Sequence, residues 1–190
     1  IGLDPEFMRQ VAPLAQLITR EAAQNMYQPR KKFTYKGTYG HVLSFAGSKG
    51  KMGAAVLCAG AAMNAGAGKV TAYIPQDGND ILQSSLPEVM TLQSEGKDFI
   101  TDFNQELKDV TLCIGPGIGE EKDTCSAFAK AIKQQSFPIV IDADGILILA
   151  KHPEFLKELP KDSILTPHDG ELKLLIRVWG NSYNRLEKVQ

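Results

Sequence analysis

Short apolar runs alternate with helical segments along most of the chain, and this alternation predicts an α/β fold. The apolar runs have the character of buried parallel strands and fall at residues 42–46, 69–74, 88–92, 110–114, 138–141 and 163–165. Helical segments separate them, at residues 53–65, 77–86, 99–107, 126–135, 146–150 and 172–178. This order predicts βαβ units and a mostly parallel sheet that is covered on both faces.

The first 35 residues are predicted to be a lead-in segment with one short helix, and the domain itself is expected to occupy residues 36–190. One helical face of the lead-in collects the apolar residues Leu14, Leu17, Ile18, Ala22 and Met26.

A glycine loop joins the first predicted strand to a helix of small residues. Gly47, Gly50 and Gly53 interrupt the pattern at three-residue spacing. In α/β folds such a loop binds phosphates, because backbone N–H groups and the positive end of the helix point at the ligand. A tight turn with close packing of helix on sheet explains the same glycines equally well.

Polar or glycine-rich loops follow four of the predicted strands, at residues 47–53, 115–119, 142–145 and 166–171. The carboxyl ends of parallel strands lie along one edge of a sheet, and ligands bind at that edge. Four such loops together favour a ligand site over a purely structural role for the glycines.

Each of the later loops offers candidate chemistry. The GPGIG loop at 115–119 lets a ligand approach the backbone, although its spacing is neither that of a P-loop nor that of the dinucleotide fingerprint. Asp142 is a candidate for holding Mg²⁺ or positioning a hydroxyl, whereas Asp144 is expected to N-cap the next helix. His168 is expected to contact a ligand, with Thr166 or Asp169 as the helix cap.

Composition narrows the possible partners. The 190 residues are 43% hydrophobic and 23% charged and carry a formal net charge of −1, which gives no electrostatic reason to expect nucleic acid or an acidic membrane. No apolar run approaches the roughly 20 residues that span a bilayer. The three cysteines have no metal-ligand spacing, so we expect free thiols acting as small core residues in a reducing, cytoplasmic compartment, and no metal site.

Six motifs, in order, resemble those of the ADP/ATP-dependent NAD(P)H-hydrate dehydratases. They are KGTYG at 36–40, AGS at 46–48 with GAA at 53–55, GAGKV at 66–70, GPGIG at 115–119, DADG at 142–145 and LTPHDGE at 165–171. The resemblance implies a ribokinase-like, three-layer α/β/α fold with a mostly parallel central sheet. It also implies repair of hydrated NADH and NADPH: the nucleotide phosphorylates the ring hydroxyl and phosphate then leaves.

The resemblance further implies which residues and partners take part. ADP or ATP and Mg²⁺ would be the cofactors, and the hydrated dinucleotide the substrate. The residues that match the family's substrate contacts are Ala54, Gly117 and His168. Further candidates at the site are Lys36, Gly47, Ser48 and Asp142. A homo-oligomer is expected, since the family is usually oligomeric.

The chain departs from the family pattern in one respect. The family's nucleotide site and catalytic aspartate lie in a later segment with a GTGD motif, in which the glycines hold the transferring phosphate and the aspartate acts as base. No GTGD occurs up to residue 190, so the catalytic residue is unassigned. We expect a fragment with its C-terminal part missing, inactive alone, whose opening IGLDPEF resembles the linker after an epimerase domain in fused members.

Two alternatives stay open at this point. A ribokinase-like small-molecule kinase, acting for example on a hydroxymethyl-bearing vitamin precursor, would show the same fold and the same strand-end loops. A non-catalytic nucleotide-binding module would also lack GTGD.

Overall fold

Six parallel strands form the central sheet of the computed structural model, which describes residues 2, 4–10, 17–27, 29–105 and 108–176. The strands are β1 (His41–Phe45), β2 (Lys69–Ile74), β3 (Met90–Gln93), β4 (Thr111–Ile114), β5 (Val140–Ile141) and β6 (Ile164–Leu165). The helices are α1 (Pro5–Gln10), α2 (Arg20–Met26), α3 (Met52–Asn64), α4 (Asn79–Ser85), α5 (Lys122–Gln134), α6 (Asp144–Lys151) and α7 (Asp169–Ile176). The predicted α/β fold is confirmed.

Contacts divide the chain into two units, Ile1–Thr34 and Tyr35–Gln190. In the first unit, α2 begins after Thr19, whose hydroxyl accepts a hydrogen bond from the backbone N–H of Ala22 at 3.2 Å. The predicted helix through Leu17 and Ile18 is therefore wrong at its start, because both residues precede this cap and are exposed. Leu14, which was predicted to lie on the same helix, is outside the described residues.

In the second unit, the strand order is β3-β2-β1-β4-β5-β6. The chain builds outward from β1 in one direction and then, from β4, in the other, so the two halves of the sheet meet between β1 and β4. Their pairing places Val42 beside Thr111 and Phe45 beside Ile114. In open α/β sheets this switch point creates the crevice in which ligands bind.

Apolar layers cover the two faces of the sheet. On one face, α5 and α6 pack on β1, β4 and β5 through a core that contains Phe45, Ile114, Phe128, Ile132 and Ile141. On the other face, α3 and α4 pack on β2 through Ala55, Ala59, Val70, Ile74 and Leu82. Over β4 and β6 this second face stays open among the described residues, since Thr111 and Ile164 are exposed.

The helix predicted at 99–107 is wrong for residues 99–105, and residues 106–107 lie outside the described residues. Phe103 is buried against the rings of Phe45 and Tyr73. The carboxylate of Asp102 accepts hydrogen bonds from the Tyr73 hydroxyl at 3.1 Å and from the Glu95 backbone N–H at 2.8 Å. These tertiary contacts override the local helical pattern.

Over the described part of the chain, none of the helices has the length and apolar character that crossing a membrane requires.

Candidate functional site

The loops after β1 and β4 are hydrogen-bonded to each other at the switch point of the sheet. The backbone N–H of Gly47 donates to the carbonyl of Pro116 at 2.8 Å. The buried hydroxyl of Ser48 donates to the carbonyl of Gly117 at 2.7 Å. Gly47 and Ser48, both predicted site residues, therefore hold the GPGIG loop in place at the carboxyl edge.

Gly117 lies against the first turn of α3. Its φ is +66°, in the left-handed region, and a Cβ there would come within 2.8 Å of the Cβ of Ala54 and 3.0 Å of the carbonyl oxygen of Lys51. Any side chain at Gly117 would push the loop and the helix apart. The structure thus brings the predicted residues Ala54 and Gly117 into direct contact.

A second close approach joins the loops after β4 and β5. A Cβ on Gly115 would overlap the carbonyl oxygen of Asp142. Gly145 takes part in the same close approach, since its own Cβ would be 3.1 Å from the Cα of Gly115. The glycines of GPGIG and DADG are needed because backbone packs on backbone here.

An open cleft of about 680 Å³ lies beside these loops. One side of it is α3, and its floor is the open face of β4 and β5. Its lining includes Ala54, Cys58, Cys113, Gly117, Asp142 and Thr166. The volume falls in the range of small-molecule and cofactor sites.

The two carboxylates of DADG accept hydrogen bonds from different groups. Asp142 accepts a hydrogen bond from the Thr166 hydroxyl at 2.8 Å and faces the cleft. Asp144 Oδ2 accepts from the Gly119 backbone N–H at 2.8 Å and from the Lys51 ammonium at 3.0 Å.

The predicted N-cap role of Asp144 is wrong, because Ala143 occupies the N-cap position of α6 and Asp144 is the first helical residue. Ala143 has φ +49° and ψ −124°, and the Gly145 N–H bonds to the Asp142 carbonyl, which are the features of a type II′ turn. This turn leaves the Asp144 carboxylate free to reach the GPGIG loop.

His168 is itself the N-cap of α7, rather than Thr166 or Asp169 as predicted. Its Nδ1 accepts from the backbone N–H of Gly170 at 3.0 Å, and its own backbone N–H donates to Glu171 Oε2 at 3.0 Å. This is a capping box in which an imidazole takes the usual place of a hydroxyl. Glu171 lies in the first turn of α7, as predicted.

The His168 side chain is 74% exposed, and its Nε2 lies 3.2 Å from Glu171 Oε1. It does not line the cleft itself, although Thr166 in the same loop does. The structure therefore places His168 near the carboxyl edge but not in contact with Ala54 or Gly117.

Lys36 is not among the residues that line the cleft. It opens a 3₁₀ turn, Lys36–Tyr39, that precedes β1, and the Tyr39 carbonyl accepts from the Gly68 N–H at the start of β2. The Lys36 backbone is thus at the amino end of the strands, and the structure does not bring it to the cleft.

Two cysteines line the cleft instead of lying in the core. Cys58 on α3 and Cys113 on β4 are partly exposed, and their Sγ atoms are 3.4 Å apart. The prediction that they are core residues is wrong, while the prediction of free thiols is confirmed. A hydrogen bond from the Cys113 thiol, aided by one from the Ser44 hydroxyl and opposed by burial, lowers the pKa of Cys58 to about 7.

Sequence reasoning missed Lys51 and this thiol pair. The rule that sites gather at strand carboxyl ends did select the loop that begins at Thr166, but Thr166 was predicted only as a possible helix cap. Cys58 and Cys113 are far apart in the chain and no local pattern links them.

No group of three metal-ligating side chains comes together in the described residues. Asp142 and Asp144 have different partners, since Asp142 is bonded to Thr166 and Asp144 is paired with Lys51.

The chain is similar to several curated proteins. A bifunctional NAD(P)H-hydrate repair enzyme of Moorella thermoacetica is 33% identical over 84% of this chain and 32% of its own length. An ADP-dependent (S)-NAD(P)H-hydrate dehydratase of Lactococcus lactis is 32% identical over 83% of this chain and 56% of its own length. The chain thus spans between about a third and a little over half of these relatives.

Solved structures confirm the ribokinase-like fold. A ribokinase-like superfamily protein of Enterococcus faecalis superposes with a TM-score of 0.69 at 20% identity, over 84% of this chain and 57% of that chain. The ADP/ATP-dependent NAD(P)H-hydrate dehydratase of Bacillus subtilis, co-crystallised with ATP and Mg²⁺, gives 0.64 at 26% identity, over 90% and 57%.

The family model of the NAD(P)H-hydrate dehydratases matches residues 42–190, which include every strand of the sheet except the first residue of β1. The chain therefore belongs to the NAD(P)H-hydrate dehydratase family.

Proposed function

We propose that the protein to which this chain belongs removes water from hydrated NADH and NADPH in a reaction driven by ADP or ATP. The ring hydroxyl of the hydrate is phosphorylated and phosphate is then eliminated, which restores the reduced cofactor. Membership of the family and the ADP-dependent relative in Lactococcus lactis support this proposal.

The observation that carries the proposal is the contact between Gly117 and Ala54 at the rim of the cleft. Both residues line the cleft, and with only a methyl group and a hydrogen as side chains they leave a wall of small groups on which a dinucleotide can lie. The N–H groups of Gly115 and Gly119 already donate to the Phe45 carbonyl and to Asp144. The backbone N–H of Gly117, which lines the cleft, is therefore the donor of this loop that a pyrophosphate would meet.

The other candidate residues have supporting roles in this proposal. His168 would contact the substrate from the start of α7, where its side chain is largely exposed. Gly47 and Ser48 hold the GPGIG loop, and Asp142 offers the cleft a carboxylate that is oriented by Thr166. Lys36 would have to act from the opposite edge of the sheet.

The nucleotide enters the proposal as the phosphoryl donor, and Mg²⁺ as the ion that accompanies it. Among the described residues, the carboxylates at the carboxyl edge do not fit a protein-held Mg²⁺ site, because Asp144 is neutralised by Lys51. We therefore derive no step through the metal. The residues of this chain bind and orient the substrate.

A homo-oligomeric state, a cytoplasmic location and fusion to an epimerase domain remain part of the proposal. The bifunctional repair enzymes among the relatives support the fusion.

The test is turnover by a protein that contains this chain. Hydrated NADH should regain the absorbance of NADH when ADP or ATP is added, and should stay hydrated without a nucleotide. Phosphorylation of a hydroxymethyl-bearing vitamin precursor, with no recovery of NADH, would instead establish a small-molecule kinase.

A further inference from the structure

Two thiols from distant parts of the chain meet at the floor of the cleft. Cys58 lies on α3 and Cys113 on β4, and their Sγ atoms are 3.4 Å apart. A disulfide bond has an S–S length of about 2.05 Å, so the two sulfurs need to approach by roughly 1.4 Å. Helix and strand already hold them side by side, and both line the open cleft.

The surroundings of Cys58 favour the reactive thiolate. The Cys113 thiol and the Ser44 hydroxyl both donate to its sulfur, and the first of these is the main reason that its pKa falls to about 7. Burial and the Asp142 carboxylate act in the opposite direction. A thiol whose pKa is close to ambient pH is the best attacking group in thiol–disulfide exchange.

Cys113 is the complementary partner. Its hydrogen bond to Cys58 and its burial raise its pKa, so it keeps its proton while Cys58 attacks. Cys125 differs from both: it lies on α5, burial raises its pKa, and its thiol donates to the Glu120 carbonyl at 3.6 Å. The third cysteine is therefore an internal control.

We propose that Cys58 and Cys113 form a thiol–disulfide site in the cleft, which a low-molecular-weight disulfide oxidises reversibly to an intrachain disulfide. The Cys58 thiolate attacks one sulfur of the small disulfide, forms a mixed disulfide and releases one small thiolate, which takes up a proton. Cys113 then attacks the Cys58 sulfur, loses its proton and releases the second small thiol. Two protein thiols are oxidised to one disulfide, and the small disulfide is reduced to two thiols.

Oxidation should compete with occupation of the cleft, a consequence that rests on the proposed function. A dinucleotide in the cleft would cover both sulfurs and slow their reaction. The new bond would also tie α3 to β4 across the floor on which the ligand lies.

The test treats the whole chain with glutathione disulfide and maps its peptides by mass spectrometry. We expect a peptide pair joined through Cys58 and Cys113, a mass lower by two hydrogen atoms, a free Cys125, and full reversal by dithiothreitol. Cys125→Ser should behave as the native chain. In Cys113→Ser the reaction should stop at a mixed disulfide of Cys58 with glutathione.

Failure to link Cys58 to Cys113 in the native chain would overturn the proposal, and that measurement depends on no variant. A second arm repeats the oxidation with saturating NADH. Slower linkage is the expected result. Linkage at an unchanged rate would contradict the ligand site in the cleft while still supporting the thiol–disulfide site.

Discussion

The backbone of Gly117 lies directly against the side chain of Ala54, so that a methyl group added to Gly117 would come within 2.8 Å of the Ala54 Cβ. Gly117→Ala should therefore lower the free energy of unfolding for two reasons. A non-glycine residue in the left-handed region costs about 1–2 kcal/mol, and the contact with Ala54 adds to this. Urea unfolding followed by circular dichroism measures the loss.

Gly50→Ala is the matched control for this variant. Gly50 also has a positive φ, of +79°, but an added Cβ would meet nothing within 4 Å. The loss for Gly117→Ala should be the larger of the two. Equal losses would mean that the contact with Ala54 adds nothing to the strain.

His168 has a structural role that can be separated from a role in binding. His168→Ala should lose about 1 kcal/mol of stability, because the Gly170 N–H loses its acceptor at the helix start. His168→Ser restores a capping oxygen next to Glu171 and should unfold close to the native chain. Both variants should bind hydrated NADH more weakly. Native affinity in His168→Ser would show that the imidazole is only a cap.

Removing the charge of Asp144 should lower the free energy of unfolding more than removing the charge of its partner Lys51. Asp144→Asn weakens the hydrogen bond from the Gly119 N–H to an ionised acceptor, and such bonds contribute about 1.5–3 kcal/mol. Lys51→Met removes only a half-exposed ammonium, a change of at most about 1 kcal/mol. Chemical unfolding of both variants checks the order. A greater loss in Lys51→Met would contradict this account of the DADG loop.

The sheet was predictable because each strand can be recognised from a short run of neighbouring apolar residues. Apolar runs such as 69–74 mark buried parallel strands by themselves, and strand β2 has those bounds in the structure. The shared carboxyl edge followed from the parallel arrangement. It placed the loops beside Ala54, Gly117 and Asp142 at one edge of the sheet, and in the structure these three residues line one cleft.

What the sequence could not predict depends on contacts between distant residues. Residues 99–105 have a helical spacing of apolar residues, yet the Asp102 carboxylate accepts a hydrogen bond from Tyr73 and the Phe103 ring packs on Phe45 instead. Ala143 adopts a backbone conformation that favours glycine, which no propensity rule assigns to alanine. The Cys58–Cys113 contact likewise arises only when α3 packs beside β4.

Alkylation of Cys58 should rise with pH through about 7 and then level off, because the thiolate is the reactive form. The groups that set this midpoint are the Cys113 thiol and the Ser44 hydroxyl, which favour the thiolate, and the Asp142 carboxylate, which opposes it. Iodoacetamide labelling at graded pH, read by peptide mass, measures the profile. Cys113→Ala should move the midpoint upward, and a native midpoint near the ordinary thiol value of about 8.5 would contradict the proposed hydrogen bond.

The central claim, that the cleft between α3 and β4 holds the hydrated dinucleotide, is tested most directly by the affinity of Ala54→Trp for hydrated NADH. Ser84→Trp is the control, since Ser84 is exposed on α4 and no residue of α4 is among those that line the cleft. Calorimetry should show a Kd for Ala54→Trp that is weaker by about tenfold or more, a change of about 1.4 kcal/mol, with Ser84→Trp unchanged. An unchanged Kd in a folded Ala54→Trp chain would contradict the claim.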